Sequence, residues 1–287
     1  MNSKQQMMVS ASQLARKIRA TPLLAPLRQL LLFCALALIS PASAQEGEFH
    51  FRYLVQWGNF ALGQSDANWQ FTENTVRMSG INIPKGSFAA FTDFEGKLSF
   101  EAVRGETSWQ PVSLMMYSRE GEDIRTAETL WSEDGRNATT TNSPPADLEE
   151  VFPLTPDMRI DVTSPFSAML DMLDRLEAGQ TCEGSFEIYD GWRRATLEFA
   201  DFGAGMLEAD RGWAYEGEVS ICGIRSIPKG GHRRESRYRP EEPDFEKIKA
   251  YIGRHSSGRL VPVRIEVKIP VGRITARLDM RSPLPEE

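Results

Sequence analysis

Histidine and cysteine are scarce in this chain, with three of each among 287 residues. That is too little cysteine for a disulfide-rich scaffold and too little histidine for a histidine-rich metal centre. His50, His232 and His255 stand at no metal-ligand spacing to one another or to a cysteine. Long apolar runs are missing too. The longest, Leu30 to Ile39, is ten residues, against the roughly 20 that a spanning helix needs. There is no internal repeat, no G-x-S-x-G elbow, no H-E-x-x-H and no P-loop. Gly203-Ala204-Gly205 opens a G-x-G, but Glu208 stands where a dinucleotide fingerprint needs its third glycine. A composition of 41% hydrophobic and 25% charged residues excludes collagen-like and wholly disordered chains.

The first 44 residues read as a cleavable leader. They carry Lys4, Arg16, Lys17, Arg19 and Arg28 and no acid, then the apolar run, then Ala42-Ser43-Ala44. Cleavage is expected after Ala44, leaving residues 45–287 as one β-rich domain. Cys34 lies inside the apolar run, which continues past it, so a lipid-anchored cysteine is not expected. Export to the periplasm follows. Without the leader, 28 basic residues remain (33 less five) against 40 acidic ones, a net charge of −12. Such a chain is no general binder of nucleic acid or anionic surfaces, and no spanning segment is expected.

Two cysteines remain, Cys182 and Cys222. In an oxidising compartment they are expected to form one disulfide, with a redox-active pair and a metal site as the alternatives. No cofactor or metal is expected.

Apolar residues alternate at period two. Phe49, Phe51, Tyr53, Val55 and Trp57 share one face of a strand, and Val263, Ile265, Val267 and Ile269 share another. Pro270-Val271-Gly272 turns that last strand back through Ile274, Ala276 and Leu278. Asp134-Gly135 and Asp190-Gly191 predict type I′ hairpins. A helix is expected from Pro165, capped by Ser164, to a stop at Gly179, with an apolar stripe through Phe166, Met169, Leu170, Leu173 and Leu176. A second helix is expected from about Asp244 to Ile252. The fold class is mostly β: a strongly curved antiparallel sheet or partly open barrel with one or two packing helices.

Two groups of residues are candidate sites. Trp57, Phe60, Trp69, Phe71, Phe88, Phe91 and Phe94 crowd one stretch. On a curved sheet they line the concave face, either as filled core or as an apolar cavity for an acyl chain. Lys229, Arg233, Arg234 and Arg237 form a basic cluster, either an anion-docking site or a solvated loop. No catalytic residue stands out.

Six short stretches together resemble a known exported family, domain-of-unknown-function family 3108. They are Tyr53-Leu-Val-Gln-Trp-Gly58 through Leu62-Gly63, Trp109-Gln-Pro-Val112, Pro165-Phe-Ser-Ala168, and Cys182 through Tyr189-Asp-Gly191 with Arg193-Arg194. Tyr215-Glu-Gly217 through Cys222 and Leu260-Val-Pro-Val-Arg264 with Gly272 complete the set. The resemblance spans roughly residues 49 to 280, with a departure at a polar insert around Glu241 to Arg254. It implies an open barrel like that of periplasmic lipoprotein carriers and makes the Cys182–Cys222 pairing a family feature. It implies no activity. The expected role is a non-enzymatic cell-envelope protein that binds a lipid, a lipoprotein or another envelope protein. The alternative is a hydrolase of wall or outer-membrane polymer working through paired carboxylates.

Overall fold

The computed structural model describes residues 46–234 and 244–281. The expected leader and Arg237 lie outside the described residues. Thirteen strands form one antiparallel sheet. They are β1 (Gly47–Trp57), β2 (Phe60–Phe71), β3 (Thr75–Pro84), β4 (Glu95–Arg104), β5 (Trp109–Glu120), β6 (Asp123–Trp131) and β7 (Ala138–Ser143), then β8 (Gly184–Tyr189), β9 (Arg194–Leu207), β10 (Gly217–Gly230), β11 (Ile248–Arg254), β12 (Leu260–Ile269) and β13 (Gly272–Leu278). One helix, α1 (Pro165–Glu177), separates the two groups. The strand order is β7-β6-β5-β4-β3-β2-β1-β13-β12-β11-β10-β9-β8. Two meanders are thus joined where the first strand pairs with the last, Tyr53 opposite Leu278 and Trp57 opposite Ile274. The sheet curls into a nearly closed barrel whose edges, among the described residues, are β7 and β8.

Because every neighbour is antiparallel, the turns alternate between two ends. At the first end the inner face is aromatic. Phe49, Phe51, Trp69, Phe71, Phe100 and Trp109 are each at most 7% exposed. Phe51 meets Trp69 edge-on with centroids 5.1 Å apart. Helix α1 packs against β5, β8 and β12 and plugs this end. Its N-cap is Ser164, whose side chain accepts from the Ser167 amide at 2.9 Å, with Pro165 opening the first turn. Leu170, Met172 and Leu173 are buried, and Phe166 stacks 5.3 Å from Phe100. At its far end Glu177 accepts from the Leu260 amide at 3.1 Å.

Cys182 and Cys222 are disulfide-bonded, with Cα atoms 6.1 Å apart. The bond ties the chain that follows α1 to the middle of β10, and both residues are buried.

Two expectations are corrected. No helix runs from Asp244 to Ile252; Ile248–Arg254 is strand β11. Phe245, Ile248 and Ile252 fit a helical spacing, but Ile248, Ala250 and Ile252 fit period two as well. With β10 on one side and β12 on the other, the segment is laddered along both edges, which an isolated helical turn could not match. The Asp-Gly hairpins are not type I′ either. Gly135 and Gly191 take positive φ, whereas Asp134 and Asp190 do not. Instead each aspartate folds its side chain back onto the turn: Asp190 Oδ1 accepts from the amides of Trp192 and Arg193, and Asp134 Oδ1 from that of Arg136.

Candidate functional site

Away from α1 the inner face changes character. Continuing the inward rows of Trp69, Met78, Phe100 and Leu114 come Ala67, Ser65 and Gly63 on β2, Gly80 and Asn82 on β3, Leu98 and Gly96 on β4, and Met116 and Ser118 on β5. Smaller side chains replace rings, so the interior is not filled there. A recess of 330 Å3 opens among Val55, Gly63, Pro84, Phe88, Phe94 and Glu120. The β3–β4 connection bends over it through a 3-10 turn at Gly86–Ala90. Gly86 allows this because it has φ +61° and lies against Ala61, where a Cβ would come within 3.0 Å. The recess is apolar except for Asn82, Gln64, Thr92 and Glu120. Tyr53 lies on the same inward row as Val55, and burial pushes its hydroxyl well above the usual phenol range.

Next to this recess is a larger cavity of 1050 Å3. Its floor is the inward row of β5 and β6, with Met116, Ser118 and Arg125. Its rim is formed by two segments that pair with each other. The Phe152 amide donates to the His232 carbonyl at 2.9 Å and the Arg234 amide to the Glu150 carbonyl at 2.8 Å. Arg233 and Arg234 line this cavity together with Asp147, Glu149 and Glu150, and the Arg234 guanidinium lies 4.8 Å from the Phe152 ring.

The structure separates the residues singled out from sequence. Trp69 and Phe71 are core, at 7% and 6% exposure. Phe88 and Phe94 line the smaller recess. Trp57 and Phe60 pair at the rim, 6.3 Å apart, and Phe91 is 84% exposed. Lys229 is not with Arg233 and Arg234 but close to Glu187. Burial works to raise the Glu187 carboxyl, but hydrogen bonds from Thr196 and Arg194, with the charge of Lys229, hold it below the usual range.

Sequence reasoning passed over a polar cluster on the outer face. Arg264 and Arg277 are 9% and 7% exposed, covered by the β9–β10 connection. Asp210 of that connection accepts from Arg264 at 2.9 Å and from Arg277 Nη2 at 2.5 Å. Burial alone would raise the Asp210 carboxyl; the guanidinium of Arg277, with Arg264 and Arg211, brings it below the ordinary value. A recess of 440 Å3 remains beside this cluster, walled by Trp57, Val271 and Arg273. Nothing in the alternation of Arg264 with Val263 and Ile265 announces burial, because the cover comes from a distant loop.

The carboxylates that come nearest to an acid–base pair are Asp171 and Asp174 on α1. Burial raises Asp171 to about 6, and the charge of Asp174 adds to this. Both are engaged: Asp171 accepts from the Trp109 amide at 2.8 Å, and Asp174 from the Trp109 indole at 2.9 Å and from Arg104. They anchor the helix to β5. His255, too, is a packing residue, edge-on to Phe51 at 5.4 Å. Among the described residues no three His, Cys, Asp or Glu side chains gather as a metal site, and no helix is long and apolar enough to cross a membrane.

Comparison with known proteins gives a family and little else. A sequence profile described as "Protein of unknown function (DUF3108)" matches residues 52–279. No curated protein matches the chain. A solved structure, the beta-barrel-like protein of domain of unknown function DUF1849 from Brucella abortus, is similar at 10% identity and a TM-score of 0.44. The match covers 80% of this chain and 94% of that one.

Proposed function

We propose that this chain, which belongs to the DUF3108 family, is a non-enzymatic protein of the bacterial periplasm that holds the apolar chain of a lipid in the unfilled end of its barrel. One observation carries the reading: the inner face is packed with rings and a helix at one end, and at the other it opens into a mainly aliphatic recess around Gly63 beneath a phenylalanine-bearing flap. The 330 Å3 recess is mostly apolar with a few polar groups at its edge, and pockets of about 300–1,000 Å3 of that character suit small apolar ligands. A basic leader and the Cys182–Cys222 bond support an oxidising, exported setting. Asp171 and Asp174 are committed to holding α1, and the mainly apolar recess favours binding over hydrolysis.

The test is solvent extraction and mass spectrometry of the protein purified without detergent. A lipid class recovered in fixed proportion to protein is expected, falling in a Phe88→Ser, Phe94→Ser double variant that keeps the wild-type melting temperature. Protein that yields no lipid, and takes up none when incubated with dispersed phospholipid, would remove the reading.

A further inference from the structure

The open end carries a second feature that holding a lipid inside does not require. Five large apolar side chains stand exposed on three turns: Trp57 (39%) and Phe60 (66%) on β1–β2, Phe88 (42%) and Phe91 (84%) on β3–β4, and Val271 (67%) on β12–β13. In the sheet order β12-β13-β1-β2-β3-β4 these turns are consecutive neighbours. They also touch. The Trp57 indole donates to the Val271 carbonyl at 3.1 Å, Trp57 lies 6.3 Å from Phe60, and the Lys85 amide donates to the Leu62 carbonyl at 3.1 Å. The result is a run of exposed apolar side chains on adjacent turns along a sector of the rim, of a kind soluble monomers seldom leave uncovered.

Its charges differ from those of the chain as a whole. Lys85, Lys268 and Arg273 flank these three turns. The acid within them, Asp93, is bound by Arg119 at 3.3 Å and by the Gly121 amide at 2.8 Å. Glu266, which pairs with Arg273, is 8% exposed. Free acids, Glu122 and Asp123, belong to the next turn, β5–β6, to one side of this sector. Lys85 and Lys268 thus border the apolar sector without an ion pair among the described residues, Arg273 borders it paired with Glu266, and Glu120 stands beside Phe88 and Phe94 at its inner edge.

We infer that this apolar sector docks on an anionic lipid bilayer. Tryptophan and phenylalanine enter the interfacial layer, Lys85, Lys268 and Arg273 meet lipid phosphates, and the acidic β5–β6 turn is kept tilted away. The same seating sets the flap and the recess beneath it against the membrane surface, so the inference gives the lipid-holding reading a loading position. It rests on that reading for its purpose but not for its test.

The experiment is co-sedimentation with vesicles, using the protein as its host processes it. Vesicles of phosphatidylethanolamine with phosphatidylglycerol are compared with vesicles of phosphatidylcholine alone. Wild type is expected to sediment with the anionic vesicles, less so as salt rises, and poorly with the neutral ones. A Phe60→Ser, Phe91→Ser double variant should bind at least about tenfold more weakly, since two rings no longer leave water. Both side chains are exposed, so the variant should melt with wild type. Met206→Ser, which removes a side chain 68% exposed on β9 near the opposite end, should bind as wild type does. Absence of wild-type binding, or equal binding by the double variant, overturns the inference. Equal binding to neutral vesicles overturns the assigned role of the cations. A dimer that Phe91→Ser dissolves, with no vesicle binding, overturns it in favour of a second copy of the chain. Lipid extraction separates the two readings: lipid retained by a double variant that no longer sediments removes only the docking, and vesicle binding by protein that carries no lipid removes only the interior site.

Discussion

The Asn142 side chain donates to the Gly191 carbonyl at 3.2 Å, across the gap between the two edge strands of the barrel. The same oxygen accepts from the Tyr189 hydroxyl at 2.9 Å. Thr163, just before α1, bridges to Ile188 on the β8 side, and the Trp131 indole donates to the Val162 carbonyl at 3.2 Å on the other. The seam is thus stitched by side chains and by the run into the helix, not by a strand ladder. Such a closure holds with fewer bonds than a ladder, which makes it sensitive to single substitutions.

Gly191→Ala is therefore expected to be costly. The residue has φ +90°, and an added Cβ would come within 2.8 Å of Thr129 Oγ1. A loss of about 2 kcal/mol should appear in urea denaturation. Asn142→Ala should lose about 1 kcal/mol through its single cross-seam bond. Wild-type stability in both variants would mean the seam is not held at this turn.

The Cys182–Cys222 bond closes a loop with a sequence separation of 40. On the chain-entropy account it contributes about 4 kcal/mol. The Cys182→Ser, Cys222→Ser double variant should unfold at correspondingly lower urea. Wild-type protein with a reductant should shift toward it. An unchanged melting temperature under reduction would contradict this.

Asp171 sets an expected pH dependence. Burial raises its carboxyl from 3.8 to about 6. Between those values the folded state holds a proton that the unfolded state has released, so this group's contribution is full below pH 3.8 and is lost as pH rises toward 6. Asp171→Asn keeps an acceptor for the Trp109 amide and needs no proton. It should match wild type near pH 4 and exceed it by about 1–2 kcal/mol at pH 7. Denaturation curves at the two pH values decide; a variant weaker at both would show that the charged carboxylate is what holds β5.

Ser164→Ala should cost about 1 kcal/mol by leaving the Ser167 amide without its acceptor. Ser164→Asp should recover part of this. Because α1 plugs the barrel, amide exchange in β5 and β12 is expected to rise with the loss.

Much of the framework was legible along the chain. Period-two rows marked β1, β12 and β13, and Ser164, Pro165 and Gly179 marked α1 within a residue or two. Cys182 and Cys222, the two cysteines outside the expected leader, pointed to one disulfide. Strand β11 misled because Ile248 and Ile252 satisfy two periods at once, and the neighbours that decide between them are not local. The Asp-Gly turns misled because the aspartate side chain accepts from the turn's own amides, so only the glycine, and not the aspartate, takes a positive φ. Within the aromatic stretch, rings that look equivalent in sequence were separated by register: Trp69 and Phe71 pack in the core against Phe51 and Phe49, whereas Phe60 and Phe91 are exposed at the turns.

By itself, then, the order of residues determined which segments extend, where the one helix begins and which sulfurs are free to pair, because periodicity and capping act within a few positions. Tertiary structure alone decided that β1 meets β13, that a helix fills one end while the other opens into a recess around Gly63, and that a loop buries Arg264 and Arg277. Those outcomes depend on contacts between segments dozens to hundreds of residues apart, where what a side chain faces is set by the other strand and not by its own neighbours.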